Sequence, residues 1–201
     1  MSVVSTRLSA AERRQALLDT ALRVFSEGSY RGTTTAEIAR EAGVSEPILY
    51  RHFASKRDLY LACIDEAWRR LRSMWDDAIT EASASSEFLP AIGGCYVSIK
   101  DAKHRVAEFW MQATLEASDD PEVRRFLRRH MREVRDYVAD VIRRCQADGT
   151  VLVERDADAE AWVFISTGLL GTIGRRLGGL MDEDDFQAIR DSRREWLTGR
   201  S

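Results

Sequence analysis

No stretch of this sequence alternates apolar and polar residues for long enough to build a sheet, and the chain is therefore expected to be all-α. Proline occurs only three times, so long helices can run without interruption. The longest uncharged stretch near the C-terminus, Ala161–Gly174, is too short and too rich in glycine to cross a bilayer. No membrane partner is expected. The first fourteen residues lack the apolar core of a secretory signal. Cysteine is limited to Cys63, Cys95 and Cys145, an odd number at wide spacing. That pattern points to reduced thiols in a cytoplasm rather than to a disulfide frame.

Catalytic signals are missing as well. His52, His104 and His130 are far apart and in no metal-ligand spacing. There is no glycine-rich phosphate loop and no nucleophile elbow. The acidic clusters Asp156/Asp158 and Asp182–Asp185 stand just ahead of helices, where capping and the helix dipole account for them. Neither an enzyme nor a cofactor is expected. The net charge of −3 is uneven: residues 1–60 carry nine Lys/Arg against seven Asp/Glu (+2), and the remainder 21 against 26 (−5). Its sign suits an N-terminal part that faces phosphates.

What is present centres on Thr34–Leu59. Thr34 with Glu37 is a capping-box pattern opening a helix to Ala42, which Gly43 ends. Ser45 is placed to cap a second helix, with Val44 and Leu49 as a hydrophobic staple and Pro47 in the first turn. Leu49 and Phe53 bury one side, leaving Glu46, Tyr50 and Arg51 outward. Ser55 with Asp58 then caps a third helix start. Two helices joined by a short glycine-containing turn match the helix-turn-helix motif, whose second helix can enter a major groove. Helical hairpins are common, and a protein-binding helical module is the competing use of the same pattern.

The wording GVSEPILYRHFASKRDLYLA, preceded by TTTAEIAREA and by a helix ending in FSEGSYRGT, resembles the TetR family of bacterial transcriptional regulators. The likeness covers about Ser9 to Leu61; beyond it only length and helical layout agree. It implies a homodimeric DNA-binding regulator, a repressor more readily than an activator, on a pseudo-palindromic operator. It also implies dimerisation through the C-terminal helices and a small-molecule pocket in the body. The architecture expected is a three-helix helix-turn-helix head, residues 1–54, and a helical ligand-binding and dimerisation body, residues 55–201, with about nine helices in all.

Helical geometry and the resemblance select the same DNA-facing positions. Base-edge candidates are Glu46, Pro47, Ile48 and Arg51, since arginine suits guanine, glutamate accepts from cytosine N4, and an apolar group meets a thymine methyl. Phosphate candidates are Thr34, Ser45, Tyr50, His52 and Lys56. Thr34 and Ser45 are also caps, His52 has a local hydrogen-bonding use, and Ile48 a core use. Nothing in the folding pattern calls for Tyr50 or Lys56. Many TetR-like sequences carry Gly and Thr where this one has Pro47 and Ile48, so no operator sequence follows. Arg7 on a loose N-terminal arm is a further DNA-contact candidate.

Outside the motif, Ser9 with Glu12 starts the first helix, whose stripe of Leu17, Leu18, Ala21, Leu22 and Phe25 covers the head. A long helix from Ser55 to about Glu81 places Leu59, Ala62, Cys63, Ala67, Leu71, Met74 and Trp75 on its apolar side. Ala82–Glu87 reads as a loop, followed by helices over Phe88–Ile99 and Ala102–Ala117. Asp120-Pro121 is a helix start, and Gly149 ends that helix. Its run Arg124, Arg125, Arg128, Arg129 and Arg132 is read as a solvated face ahead of a second nucleic-acid patch. Two helices close the chain, Ala157–Leu177 and Glu183–Thr198. Gly168, Gly171, Gly174 and Gly178 lie near one side of the first, and with Phe186, Ile189, Trp196 and Leu197 they suggest a surface for a second copy, against ordinary packing within one chain. For the pocket implied by the resemblance, the candidates are Trp75, Cys95, Tyr96, Phe109, Trp110, Gln112, Tyr137 and Trp162, with His104, His130 and Glu116 as polar partners. A small apolar or aromatic effector would suit so many rings, although core packing is their other use.

Overall fold

A computed structural model describes residues 9–98, 106–178 and 180–199, and their side chains except at residues 95–98, 106 and 175. Arg7, Ile99, Lys100, Lys103 and His104, and the side chains of Cys95 and Tyr96, lie outside this description. Among the described residues there are nine α-helices and no strand: α1 (Ala10–Glu27), α2 (Thr35–Glu41), α3 (Glu46–Tyr50), α4 (Lys56–Glu81), α5 (Phe88–Ser98), α6 (Val106–Glu116), α7 (Pro121–Ala147), α8 (Ala157–Leu177) and α9 (Glu183–Thr198). Ala82–Glu87, expected as a loop, includes a 3-10 turn at Ser85–Glu87.

Two compact units divide the chain. The first comprises residues 1–70 and 100–124, the second residues 71–99 and 125–201. In the first, Ser9 and Glu12 close both halves of a capping box on α1, which buries Leu17, Leu18, Ala21, Leu22, Val24 and Phe25. Helix α2 packs on α1 and on α3. It ends in a Schellman turn: Gly43 adopts φ 66°, its N–H bonds to Arg40 O, and Val44 N–H bonds to Ala39 O. Glycine is required there because L side chains resist that conformation. Leu49 and Phe53 are sealed in the core at 0% and 1% exposure. Leu49 anchors five-residue α3 through its apolar side, and Phe53 extends that anchor just beyond it.

The start of α4 departs from the one-sided stripe expected for it. Tyr60, Ile64 and Trp68 are buried along with Leu59, Cys63 and Ala67, whereas Ala62 is half-buried. Neighbours reach this segment from more than one side. Tyr60 donates from its hydroxyl to Phe109 O of α6 at 3.3 Å, and its ring meets those of Phe25 and Tyr30. On another side the buried Glu66 carboxylate accepts from Gln15 of α1 and from Arg69 and Arg70. Burial alone would raise the Glu66 pKa; these hydrogen bonds outweigh it and hold the group at about 2.

In the second unit α7 supplies the main row of buried side chains, Leu127, Val134, Val138, Val141 and Cys145, with Met131 half-buried. Gly149 closes α7 at φ 69°, with Thr150 N–H on Cys145 O. Arg125, Arg128, Arg129 and Arg132 are exposed, as a solvated face requires. Helix α8 packs on α5 and buries Ala157, Ala161 and Ile165. Helix α9 has no buried residue; Phe186, Ile189 and Leu197 are half-buried. Polar contacts hold α9 in place: Trp196 Nε1 donates to Glu160 at 2.8 Å, Arg193 pairs with the same carboxylate, and Leu152 N–H bonds to Leu197 O.

Candidate nucleic-acid interface

The helix-turn-helix lies entirely in the first unit. Thr34 is exposed and its hydroxyl accepts the Glu37 N–H at 3.1 Å, capping α2. Ser45 occupies the cap position of α3 but makes no side-chain cap bond, which corrects the expectation for it. Its hydroxyl is exposed and open to another partner. Pro47 and Arg51 are exposed, Ile48 and His52 half-buried. Tyr50 is 45% exposed. Leu49, on the opposite side of the same rod, holds it in place.

Two expectations change here. Glu46 does not simply point outward. It is half-buried and accepts a 2.5 Å hydrogen bond from the hydroxyl of Thr35, a length typical of an O–H donor on a carboxylate. Nor are Tyr50 and Lys56 idle in the fold. The Tyr50 hydroxyl is 3.0 Å from the same Thr35 oxygen. The Lys56 ammonium sits 4.6 Å from the centre of the Tyr30 ring, an arrangement that favours a cation. Burial lowers the Lys56 pKa, while nearby Glu116 pulls it the other way. Periodicity registers which face of a helix is apolar; it does not register a polar partner from another segment.

Thr35, Tyr30, Arg31 and Arg57 belong to the neighbourhood of this interface and carry no local sequence signal. Arg31 reaches Glu116 at 3.1 Å and Asp119 at 2.8 Å. Arg57 reaches Asp120 at 2.9 Å and Glu122 at 2.6 Å. These pairs tie the head to the α6–α7 turn within the first unit. Glu116, a candidate effector contact, is therefore already engaged. Their partners are more than 50 residues away in sequence, so no spacing rule would have found them.

Of the candidate effector residues, the structure brings Trp75 and Tyr137 together, stacked with ring centres 5.6 Å apart. Phe164 meets Trp75 edge-on at 6.1 Å. The Tyr137 hydroxyl donates to Asp76 at 2.6 Å. Trp162 stands on the outer side of α8, 40% exposed. All of these are in the second unit. Phe109 and Trp110, buried, and Gln112, half-buried, are on α6 in the first. His130 is buried against the Phe126 ring at 5.5 Å.

The family model described as "Bacterial regulatory proteins, tetR family" matches residues 17–63, and that described as "BetI-type transcriptional repressor, C-terminal" matches residues 95–168. The HTH-type transcriptional regulator BetI of Agrobacterium fabrum is 32% identical over 148 residues, covering 73% of this chain and 72% of that protein. The chain belongs to the TetR family. It is a transcriptional regulator with a DNA-binding helix-turn-helix, and α2 and α3 are that motif. Another match is to the HTH-type transcriptional activator FasR of Mycolicibacterium smegmatis, 50% identical over 58 residues, or 29% of this chain and 26% of that one. Among solved structures, a TetR-family regulator from Cytophaga hutchinsonii superposes with a TM-score of 0.80 over 98% of both chains at 16% identity. That likeness reports the TetR fold. No described helix is long and apolar enough to cross a membrane.

Proposed function

We propose that this TetR-family regulator is a cytoplasmic, effector-responsive repressor that binds a pseudo-palindromic operator as a homodimer, with residues 1–54 as the DNA-reading domain and residues 55–201 as the ligand-binding and dimerisation domain. The observation that carries the DNA-reading role is the two-sidedness of α3. Leu49 is fully buried while Pro47, Tyr50 and Arg51 are exposed, so the rod is held from behind and free in front. Arg51, Glu46, Pro47 and Ile48 face base edges; Thr34, Ser45, Tyr50, His52 and Lys56 serve phosphates.

Homodimerisation is supported by the outer row of α8. Val163, Leu170, Ile173 and Leu177 fall at helical spacing and are 38–67% exposed, an apolar row that water does not favour. Gly171 and Gly174 flank this row and are buried. A side chain at Gly174 would meet open space, so the partner-facing side of α8 takes in the branched row together with the glycines beside it. A repressor role is in keeping with the description of the C-terminal match. The effector is a small apolar or aromatic molecule, with Trp75 and Tyr137 of the second unit as its first candidates for contact.

Selection of bound duplexes from a random pool, followed by the same selection with candidate effectors, tests this function. The expected outcome is an inverted repeat with half-sites about one helical turn apart, binding that weakens steeply with salt, and release on addition of an effector. Absence of duplex binding at every salt concentration would leave the protein-binding module as the better description.

A further inference from the structure

Thr35 is buried, at 7% exposure, and its hydroxyl touches both ends of α3. It lies 2.5 Å from Glu46 Oε1 and 3.0 Å from Tyr50 Oη. Glu46 and Tyr50 are four residues apart and share a helix face. A threonine hydroxyl has a single proton. The carboxylate is the stronger acceptor and takes it, so the Tyr50 hydroxyl donates to Thr35. The relay therefore runs Tyr50 to Thr35 to Glu46, and it fixes both side chains.

Resting on the assignment of α3 to the major groove, we propose that Thr35 is a positioning residue for base recognition: it holds Glu46 so that the free carboxylate oxygen reads one exocyclic amino group, cytosine N4, in each half-site. An ionised carboxylate only accepts, so it pairs with that amino group; guanine O6 and N7 and thymine O4 repel it, and the N7 acceptor beside adenine N6 disfavours it there. A carboxylate beside a polyanion is pushed away from it, and an untethered Glu46 would swing out of the groove. The Thr35 hydroxyl resists that movement. Tyr50 gives its proton to Thr35 in the free protein, and it can donate to a phosphate only by leaving that bond.

The experiment is duplex selection with the parent, Thr35→Val, Thr35→Ser and Glu46→Ala, with melting followed by circular dichroism and affinity followed against salt. Glu46→Ala and Thr35→Val should each lose about tenfold of the preference at the same C·G pair. Thr35→Ser, which keeps the hydroxyl, should retain it. The salt slope and the affinity for random duplex should not fall in Thr35→Val, because no phosphate contact is removed. Should valine prevent folding, Thr35→Ala replaces it with the same expected loss. Full preference in a folded Thr35→Val or Thr35→Ala protein, or in Glu46→Ala, overturns the assignment, as does a uniform loss of affinity across all sequences. A parent that selects no sequence at all overturns the groove assignment itself, which is a separate result.

Discussion

Helices α3 and α8 both turn a row of side chains outward, and they do so in opposite chemical terms. The side of α3 proposed to meet DNA is polar or charged apart from Pro47 and half-buried Ile48, and two of its members, exposed Tyr50 and half-buried Glu46, are bonded to a buried hydroxyl. The outward row of α8 is apolar, with Val163, Leu170, Ile173 and Leu177 exposed. A five-residue helix cannot persist alone, so α3 must be held by Leu49 and by hydrogen bonds to α2. Twenty-one residues of α8 are long enough to leave a whole side uncovered. Under the proposed function the two rows serve two different contacts: a pre-oriented polar row for a hydrated, charged surface, and an exposed apolar row for something equally apolar.

The largest expected effect falls on α8. Leu170→Glu or Ile173→Glu places a carboxylate in the apolar row and should weaken dimerisation by on the order of a thousandfold. Sedimentation velocity would reveal monomers, and operator binding would fail with them. An unchanged dimer would remove the distinction between the two rows. In the head, Leu49→Ala leaves a cavity behind α3 and should cost roughly 2–5 kcal/mol by chemical denaturation. DNA binding should be lost while the dimer survives; loss of both would mean that the two rows are not independent.

Acidity offers a sharper probe of the first unit. The Glu66 carboxylate is held at about 2, below its ordinary 4.5. Its depressed pKa contributes stability that is present above pH 4.5 and lost as pH falls through about 2. Glu66→Gln should be less stable at neutral pH by roughly 2 kcal/mol and should lack that acid-side descent in a pH series of melting curves. A parent and variant with parallel profiles would place the charge pairing elsewhere. The smallest effect is expected at Arg51, whose replacement by Ala should leave folding unchanged and relax one base-pair preference by about 1–3 kcal/mol in competition binding.

Much of the local layout was legible from particular residues. Ser9 with Glu12, and Asp120 before Pro121, mark helix starts because a side-chain oxygen and a backbone N–H a few residues on must meet. Helices α8 and α9 begin and end where the acidic caps and glycines put them. The extra burial at the start of α4 was not legible, since Tyr60 is covered by segments distant in sequence. The engagement of Glu46, Tyr50 and Lys56 was hidden because Thr35 and Tyr30 reach them from other segments, and Ser45 holds the cap position without making the cap bond.

By itself the sequence determined the helical class, the boundaries of α1, α7, α8 and α9, the TetR-like motif and the fact that Leu49 and Phe53 must face inward, because all of these follow from interactions between residues close along the chain. Only the tertiary structure decided that Thr35 stands between Glu46 and Tyr50, that Lys56 rests on Tyr30, and that Val163, Leu170, Ile173 and Leu177 stand exposed on α8. Those arrangements depend on which segments meet in space, and a helical period carries no information about the side chain that arrives from another helix.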